Sequence, residues 1–268
     1  MTTPDLSADP IHSIGPKHRA LWASGSYATV AADLIPGLGP VLVEAAGIRA
    51  GQRVLDVAAG TGNAAIPAFR TGASVVASDL TPELLDVGRN LEPGIEWVEA
   101  DAQALPFETA EFDAVLSCVG VMFAPFHARA AAELVRVCRP GGTIALLSWT
   151  PEGFVGQLFA TMKPFAPPPP PGASPAPLWG SEEHVRSLLG DDVRGLRAEK
   201  RTVVFDVSTS PADFRGWWKA NYGPTIAAYK AQEDPAALDA AFLEFLERSQ
   251  RPDGTWEAEY LLVTAVRA

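Results

Sequence analysis

Residues 54–62 read Val-Leu-Asp-Val-Ala-Ala-Gly-Thr-Gly, an apolar strand running into a glycine loop, with the carboxylate of Asp56 four positions ahead of Gly60. Gly60, Gly62 and Ala65 also satisfy the loose G-x-G-x-x-A spacing of dinucleotide sites, where glycines let backbone amides and a helix N-terminus approach a pyrophosphate. A carboxylate beside such a loop argues against phosphate. It favours a cofactor that brings positive charge to the loop, because opposite charges a few ångströms apart attract strongly in a partly dry site.

A second strand, 74–78, ends in Asp79, nineteen residues after Gly60, where an acid can accept both hydroxyls of a ribose. A third, 95–100, ends in Asp101-Ala102, a carboxylate and a following amide suited to an adenine edge. Ligands of open parallel sheets sit outside the carboxyl ends of the strands, so Asp56, Asp79 and Asp101 are expected to line one crevice. A phosphate-free adenosyl cofactor with positive charge is S-adenosylmethionine, whose α-ammonium and sulfonium both favour a nearby anion. A nicotinamide-dependent reductase is the rival reading. Asp56, the leader of about 50 residues before the loop, and the Asp101 element all count against it.

In order, VLDVAAGTGNAA, VVASDLTPELL, VEADAQALPF, FDAVLS and VRVCRPGGTIALLSW resemble the class I S-adenosylmethionine-dependent methyltransferases, and among them the type 11 group. The resemblance covers residues 53–149 and implies the cofactor and a Rossmann-like core. It implies that Ala58, Gly60, Gly62 and Asn63 meet the methionine part, Asp79 with Leu80 the ribose, and Asp101 with Ala102 the adenine. It also implies that the segment from Cys118 to Phe123 borders the methyl group. An N-terminal helix folds over the cofactor in related enzymes, which would bring the Tyr27 hydroxyl to the methionine carboxylate; a core aromatic of a capping helix is the other reading of Tyr27.

Composition fits a globular enzyme: 268 residues at 47% hydrophobic content can bury a full core. The first residues, MTTPDLSADP, have neither a basic start nor an apolar segment, and no run of about eighteen apolar residues occurs, so a cytoplasmic protein is expected. A net charge of −11 disfavours nucleic acid and anionic membrane as partners and leaves a small molecule, or a second copy of the chain, since cap aromatics could serve a homodimer as easily as a pocket. With only Cys118 and Cys138 there is no zinc spacing and no disulfide framework, so no metal is expected. Arg far outnumbers Lys and Ala is abundant, which points to a GC-rich bacterial source.

Strand and helix signals alternate, giving a doubly wound α/β fold with a seven-stranded, mostly parallel Rossmann-like sheet and helical cap insertions. Strands are expected near 52–58, 74–79, 95–100, 112–118 and 142–149, then 201–207 and 260–266; the resemblance implies that the last is inserted antiparallel at the sheet edge. Helices are expected from Gly62 to Ala68, from about Pro82, and from Ala128 to Val137, ahead of the Pro140-Gly141-Gly142 turn. Three parts follow: a helical lid over 1–50 in which Trp22, Tyr27, Val30 and Leu34 recur at near-helical spacing; a cofactor-binding core over 51–150; and 151–268, which completes the sheet. This last part holds a proline-rich crossover, Pro167–Pro171, and a helical substrate cap over about 210–252.

The chemistry expected is in-line displacement of a sulfonium methyl by an oxygen, nitrogen or carbon of a small organic acceptor, of the bacterial secondary-metabolite kind. Alignment at about 3–3.5 Å can supply several kcal/mol of the barrier. A phenol or enol would also gain from a base, and among His12, His18, His127 and His184 the third is best placed, just after the fourth strand. A solvent-facing helix start is the alternative for His127. Met122, Trp149 and Tyr222 are the candidate acceptor contacts, and Cys118 and Phe123 flank the sulfonium. An enzyme that keeps the cofactor site but does not transfer methyl, such as a cyclase, would carry the same motifs.

Overall fold

The computed structural model describes residues 10–268, with side chains from residue 15 onward. The first nine residues of the expected lid, and the side chain of His12, lie outside the described residues. Chain order is α1 (Pro10–Trp22), α2 (Tyr27–Leu34), α3 (Leu38–Ala46), β1 (Arg53–Val57), α4 (Ala65–Arg70), β2 (Ser74–Asp79), α5 (Pro82–Leu91), β3 (Glu96–Glu99), β4 (Phe112–Cys118), α6 (His127–Val137), β5 (Cys138–Trp149), α7 (Phe154–Met162), α8 (Glu182–Leu189), β6 (Val193–Phe205), α9 (Pro211–Asn221), α10 (Gly223–Lys230), α11 (Ala236–Ser249) and β7 (Trp256–Arg267).

The strands form one seven-stranded sheet in the order β3-β2-β1-β4-β5-β7-β6. β1, β2, β3, β4 and β5 pair in parallel, and their centre is apolar on both faces, as a sheet covered by helices requires. β7 runs antiparallel to both β5 and β6. It therefore lies one strand in from the edge, and β6 takes the edge position expected for it. Exposed Arg194, Arg197, Glu199, Lys200 and Arg201 along β6 protect that edge from pairing with another chain.

Local chemistry sets several boundaries. Pro211 and Pro82 open α9 and α5 at positions that need no backbone donor, and Ser181 and Ser210 cap α8 and α9 by accepting from the His184 and Asp213 amides. The first core helix starts at Ala65 rather than Gly62, because Gly62 has φ 98° and the Ala65 amide donates to Asp56 Oδ2 at 2.8 Å. The near-helical run from Trp22 to Leu34 is broken at Gly25, φ 77°, where a Cβ would stand 2.6 Å from the Asn221 carbonyl oxygen. That carbonyl accepts from the Ser26 amide at 3.0 Å, so the α1–α2 turn is seated on the α9–α10 elbow. Pro140-Gly141-Gly142 is taken into β5 as an irregular start, with Gly141 at φ 77°. The proline run is exposed, and the chain after it returns to the body where Ser174 donates to the Pro125 carbonyl at 2.9 Å. Among the described residues no single helix is long and apolar enough to cross a membrane.

Candidate functional site

A cleft of about 690 Å³ opens at the carboxyl ends of β1 to β4, bordered by Ala58 and Gly60, by Asp79, Leu80 and Leu84, by Asp101, Ala102 and Gln103, and by Val119, Gly120 and Phe123. Gly15, His18 and Trp22 of α1 close it from above, with Tyr27 of α2 at one end. Arg19 ties α1 down by donating from Nε to the Leu80 carbonyl at 3.2 Å and pairing with Glu99, so the roof is fastened to the ends of β2 and β3.

The floor is a strained pair of turns. Ala58 (φ 54°) and Val119 (φ 59°) sit in the left-handed region, which costs about 1–3 kcal/mol per residue and marks a genuine outlier for β-branched valine. Ser117 Oγ donates to the Val57 carbonyl at 2.7 Å and accepts from Val121 N at 2.9 Å, locking the turn after β4 to β1. A Cβ on Gly120 would come within 2.1 Å of the Ala58 carbonyl oxygen, so the two turns fit only with glycine there.

Asp79 lies at the cleft with Oδ2 accepting from the Gly60 amide at 2.8 Å and Oδ1 from the Thr81 amide at 2.9 Å. Burial pushes its carboxyl up, and those amides pull it back down. Asp101 Oδ1 accepts from both the amide and Nε2 of Gln103, whose Oε1 in turn accepts from Phe126 N at 2.9 Å. Asp79 and Asp101 are the acids of the lining, and among the described residues neither Lys nor Arg contributes to it. A pyrophosphate would meet two carboxylates and no cation. An adenosyl group with a sulfonium and an ammonium meets a complementary field, and Gly60 leaves the room that a Cβ facing Tyr27 at 3.4 Å would take. The lining thus fits S-adenosylmethionine and opposes a dinucleotide.

Of the residues singled out in the sequence, Tyr27, Ala58, Gly60, Asp79, Leu80, Asp101, Ala102 and Phe123 converge on this cleft. Asp56 does not. It is 1% exposed behind the loop, holding the start of α4 through Oδ2, while Oδ1 has no hydrogen-bond partner; burial raises its pKa to about 8. Gly62 faces Trp97, because a Cβ there would lie 2.7 Å from its ring. Asn63 braces the roof instead, donating from Nδ2 to the Ala31 and Ile35 carbonyls. Cys118 is a buried free thiol whose pKa burial pushes up, and Met122 is fully buried beneath the wall.

His127 is misplaced for a base. Its ring is 2% exposed and lines neither this cleft nor the chamber beside it, packing against Trp179 at 5.5 Å with Nδ1 2.9 Å from His184 Nε2. It does not face solvent either. Burial, then the neighbouring His184, drives its pKa down to about 4. The histidine that reaches the cleft is His18, beside Asp101, contributed by a helix whose register over the sheet no local pattern reveals. Val119, within the segment expected at the methyl group, borders the cleft too; Gln103 does so without standing out in the sequence, although, two residues after an acid at a strand end, it is well placed to fix that acid's rotamer.

A second, smaller chamber adjoins the cleft through Tyr27, Val119 and Phe123, which border both. Its remaining walls are Val30, Leu34, Ile35, Trp149, Val155, Phe205, Trp218 and Tyr222. Trp149 and Tyr222 thus sit at the chamber rather than the cleft. Trp22 links the two spaces: it lines the cleft while its ring lies 4.6 Å from that of Phe123 and 5.9 Å from that of Tyr222. Among the described residues no carboxylate, imidazole, ammonium or guanidinium lines the chamber.

A family profile described as a methyltransferase domain matches residues 55–146. An uncharacterized protein of Mycobacterium tuberculosis is 50% identical over 256 residues, 92% of this chain and 93% of its own. The demethylmenaquinone methyltransferase of Renibacterium salmoninarum is 40% identical over 114 residues, 42% of this chain and 48% of its own. Among solved structures, phosphoethanolamine N-methyltransferase 2 of Haemonchus contortus in complex with S-adenosyl-L-methionine superposes with a TM-score of 0.53 at 16% identity, over 85% of this chain and 52% of that one. The likeness to that structure is one of fold.

Proposed function

Since the chain belongs to the class I S-adenosylmethionine-dependent methyltransferases, we propose that it methylates a compact, largely apolar organic molecule, of the secondary-metabolite kind, held in the aromatic chamber beside the cofactor cleft. The shared wall carries this reading. Tyr27, Val119 and Phe123 border both spaces, so a molecule in the chamber and the cofactor's reactive end in the cleft meet there.

In this reading Asp79 accepts the ribose hydroxyls, and Asp101 with the Ala102 amide takes the adenine edge. When bound, S-adenosylmethionine supplies an electrophilic methyl carbon whose bond to sulfur breaks, with its electron pair left on sulfur, as the acceptor's lone pair or π electrons form the new bond. The protein's part is alignment and exclusion of water, which can contribute several kcal/mol (about 7–11 in the best intramolecular models). With no carboxylate or imidazole lining the chamber among the described residues, the acceptor keeps its proton through the transfer step and the methylated product loses it to solvent after release. Methylation of a ring carbon on a quinone-type acceptor is the second reading, favoured by the Renibacterium relative. That likeness spans less than half of this chain.

The test is to incubate the protein with S-adenosylmethionine and a panel of compact aromatic acceptors, following S-adenosylhomocysteine and acceptors heavier by one CH2. Val155→Trp, which fills the chamber, is expected to abolish turnover while S-adenosylhomocysteine still binds. Undiminished turnover in a folded Val155→Trp protein refutes the chamber as the acceptor site.

A further inference from the structure

Among the residues lining the chamber, the polar side-chain atoms are the hydroxyls of Tyr27 and Tyr222 and the indole nitrogens of Trp149 and Trp218. An indole N–H only donates, and a tyrosine hydroxyl donates readily. Trp218 stands out among the buried tryptophans. Trp256 donates to the Leu246 carbonyl at 2.9 Å and Trp97 to the Glu92 carbonyl at 3.1 Å, as buried indoles normally do. Trp218, only 3% exposed, keeps its N–H buried with no acceptor. Trp179 shares that condition but packs against His127 and lines neither the cleft nor the chamber.

A buried donor without an acceptor is costly, and it persists either as a compromise of packing or because a ligand atom completes it. Trp218 has no protein acceptor within reach of its N–H, and its surroundings are aromatic. It sits on α9 with its ring edge-on to Tyr222 at 4.9 Å and to Trp217 at 5.6 Å, at the elbow that also carries the α1–α2 turn. This elbow falls outside residues 55–146, so the common methyltransferase domain does not account for it.

We infer that Trp218 is a specificity-determining residue whose indole N–H holds an oxygen of the acceptor, and that the chamber takes a flat ring bearing a hydrogen-bond-accepting oxygen. The inference rests on the chamber being the acceptor site. Aromatic walls surround the space for the ring: Tyr27, Phe123, Trp149, Phe205, Trp218 and Tyr222 line it, with Tyr222 backed by Phe159 at 7° between planes. A lining without carboxylates disfavours a cationic acceptor. An unpartnered Trp218 N–H rewards a phenol, enol or ring carbonyl oxygen over a bare hydrocarbon of the same shape.

The probes are 2-naphthol and naphthalene, titrated into the protein saturated with S-adenosylhomocysteine. The wild type is expected to prefer 2-naphthol by about tenfold, the scale of one well-made hydrogen bond in a dry site. Trp218→Phe is expected to bind both equally, with naphthalene affinity unchanged, and a retained preference in that variant overturns the inference. In the wild type the Trp218 indole N–H resonance is expected to shift with 2-naphthol and not with naphthalene. The absence of that shift overturns the inference even where Trp218→Phe fails to fold. Val155→Trp separates the two readings: if it leaves 2-naphthol binding intact, or if the wild type binds neither probe, the chamber itself is wrong. A wild type that binds both probes equally removes only the role of Trp218.

Discussion

Two buried acids show how burial and hydrogen bonding divide labour between residues of one type. Asp79 spends its oxygens on the Gly60 and Thr81 amides and still borders the cleft, whereas Asp56 is sealed behind the loop and organises it. Both were legible in the sequence as acids at strand ends. Their different exposure was not, because it depends on the left-handed turn at Ala58, which no residue type announces. His127 shows the same limit: its position after β4 is right for a base, but its side chain points to α8. Its pKa is about 4 in the folded protein against an ordinary 6.5, so the unfolded chain binds more protons between those values. Stability from this residue is therefore complete above pH 6.5 and lost as pH falls toward 4, with a slope of up to about 1.4 kcal/mol per pH unit. His127→Phe, which retains an apolar ring beside Trp179, is expected to flatten that acid limb in denaturant titrations at stepped pH and leave methyl transfer within a few-fold. A loss of turnover without loss of stability would restore the base.

At the scale of elements, α1 is the part of the site that the residues of the core cannot provide. It delivers His18 and Trp22 to the cleft, and Arg19 adds a polar tie to Leu80 and Glu99 beside the packing of Trp22 on Phe123 and Tyr222. An ion pair this exposed is worth only about 0–1 kcal/mol, so that tie contributes little to stability. Arg19→Ala is accordingly expected to leave the melting temperature nearly unchanged while speeding S-adenosylhomocysteine dissociation several-fold in stopped-flow displacement. An unchanged dissociation rate would show that α1 does not gate the cleft. The lid helix and its aromatics could be read from spacing. Its division at Gly25 could not, because the reason lies nearly 200 residues away at Asn221, whose carbonyl the turn must approach.

Across the whole molecule, the parallel half of the sheet was plain in the sequence, since β1, β2, β4 and the second half of β5 are largely apolar runs. The antiparallel edge placement expected for β7 rested on family likeness, and the pairing bears out its direction while placing it between β5 and β6. The second chamber was beyond any local pattern. Its walls come from α2, the turn after β4, the end of β5, α7, the end of β6 and the α9–α10 elbow, and only long-range packing decides that buried Trp218 faces it while neighbouring Trp217 stays partly exposed. All of this chemistry depends on the acidic cleft being the cofactor site, and calorimetric titration of S-adenosylhomocysteine into the wild-type and Asp79→Ala proteins tests that most directly. The wild type is expected to bind one equivalent, and the variant, folded by circular dichroism, to bind about tenfold more weakly or worse, as loss of a charged hydrogen-bond partner requires. Equal affinity in the two proteins would contradict the assignment.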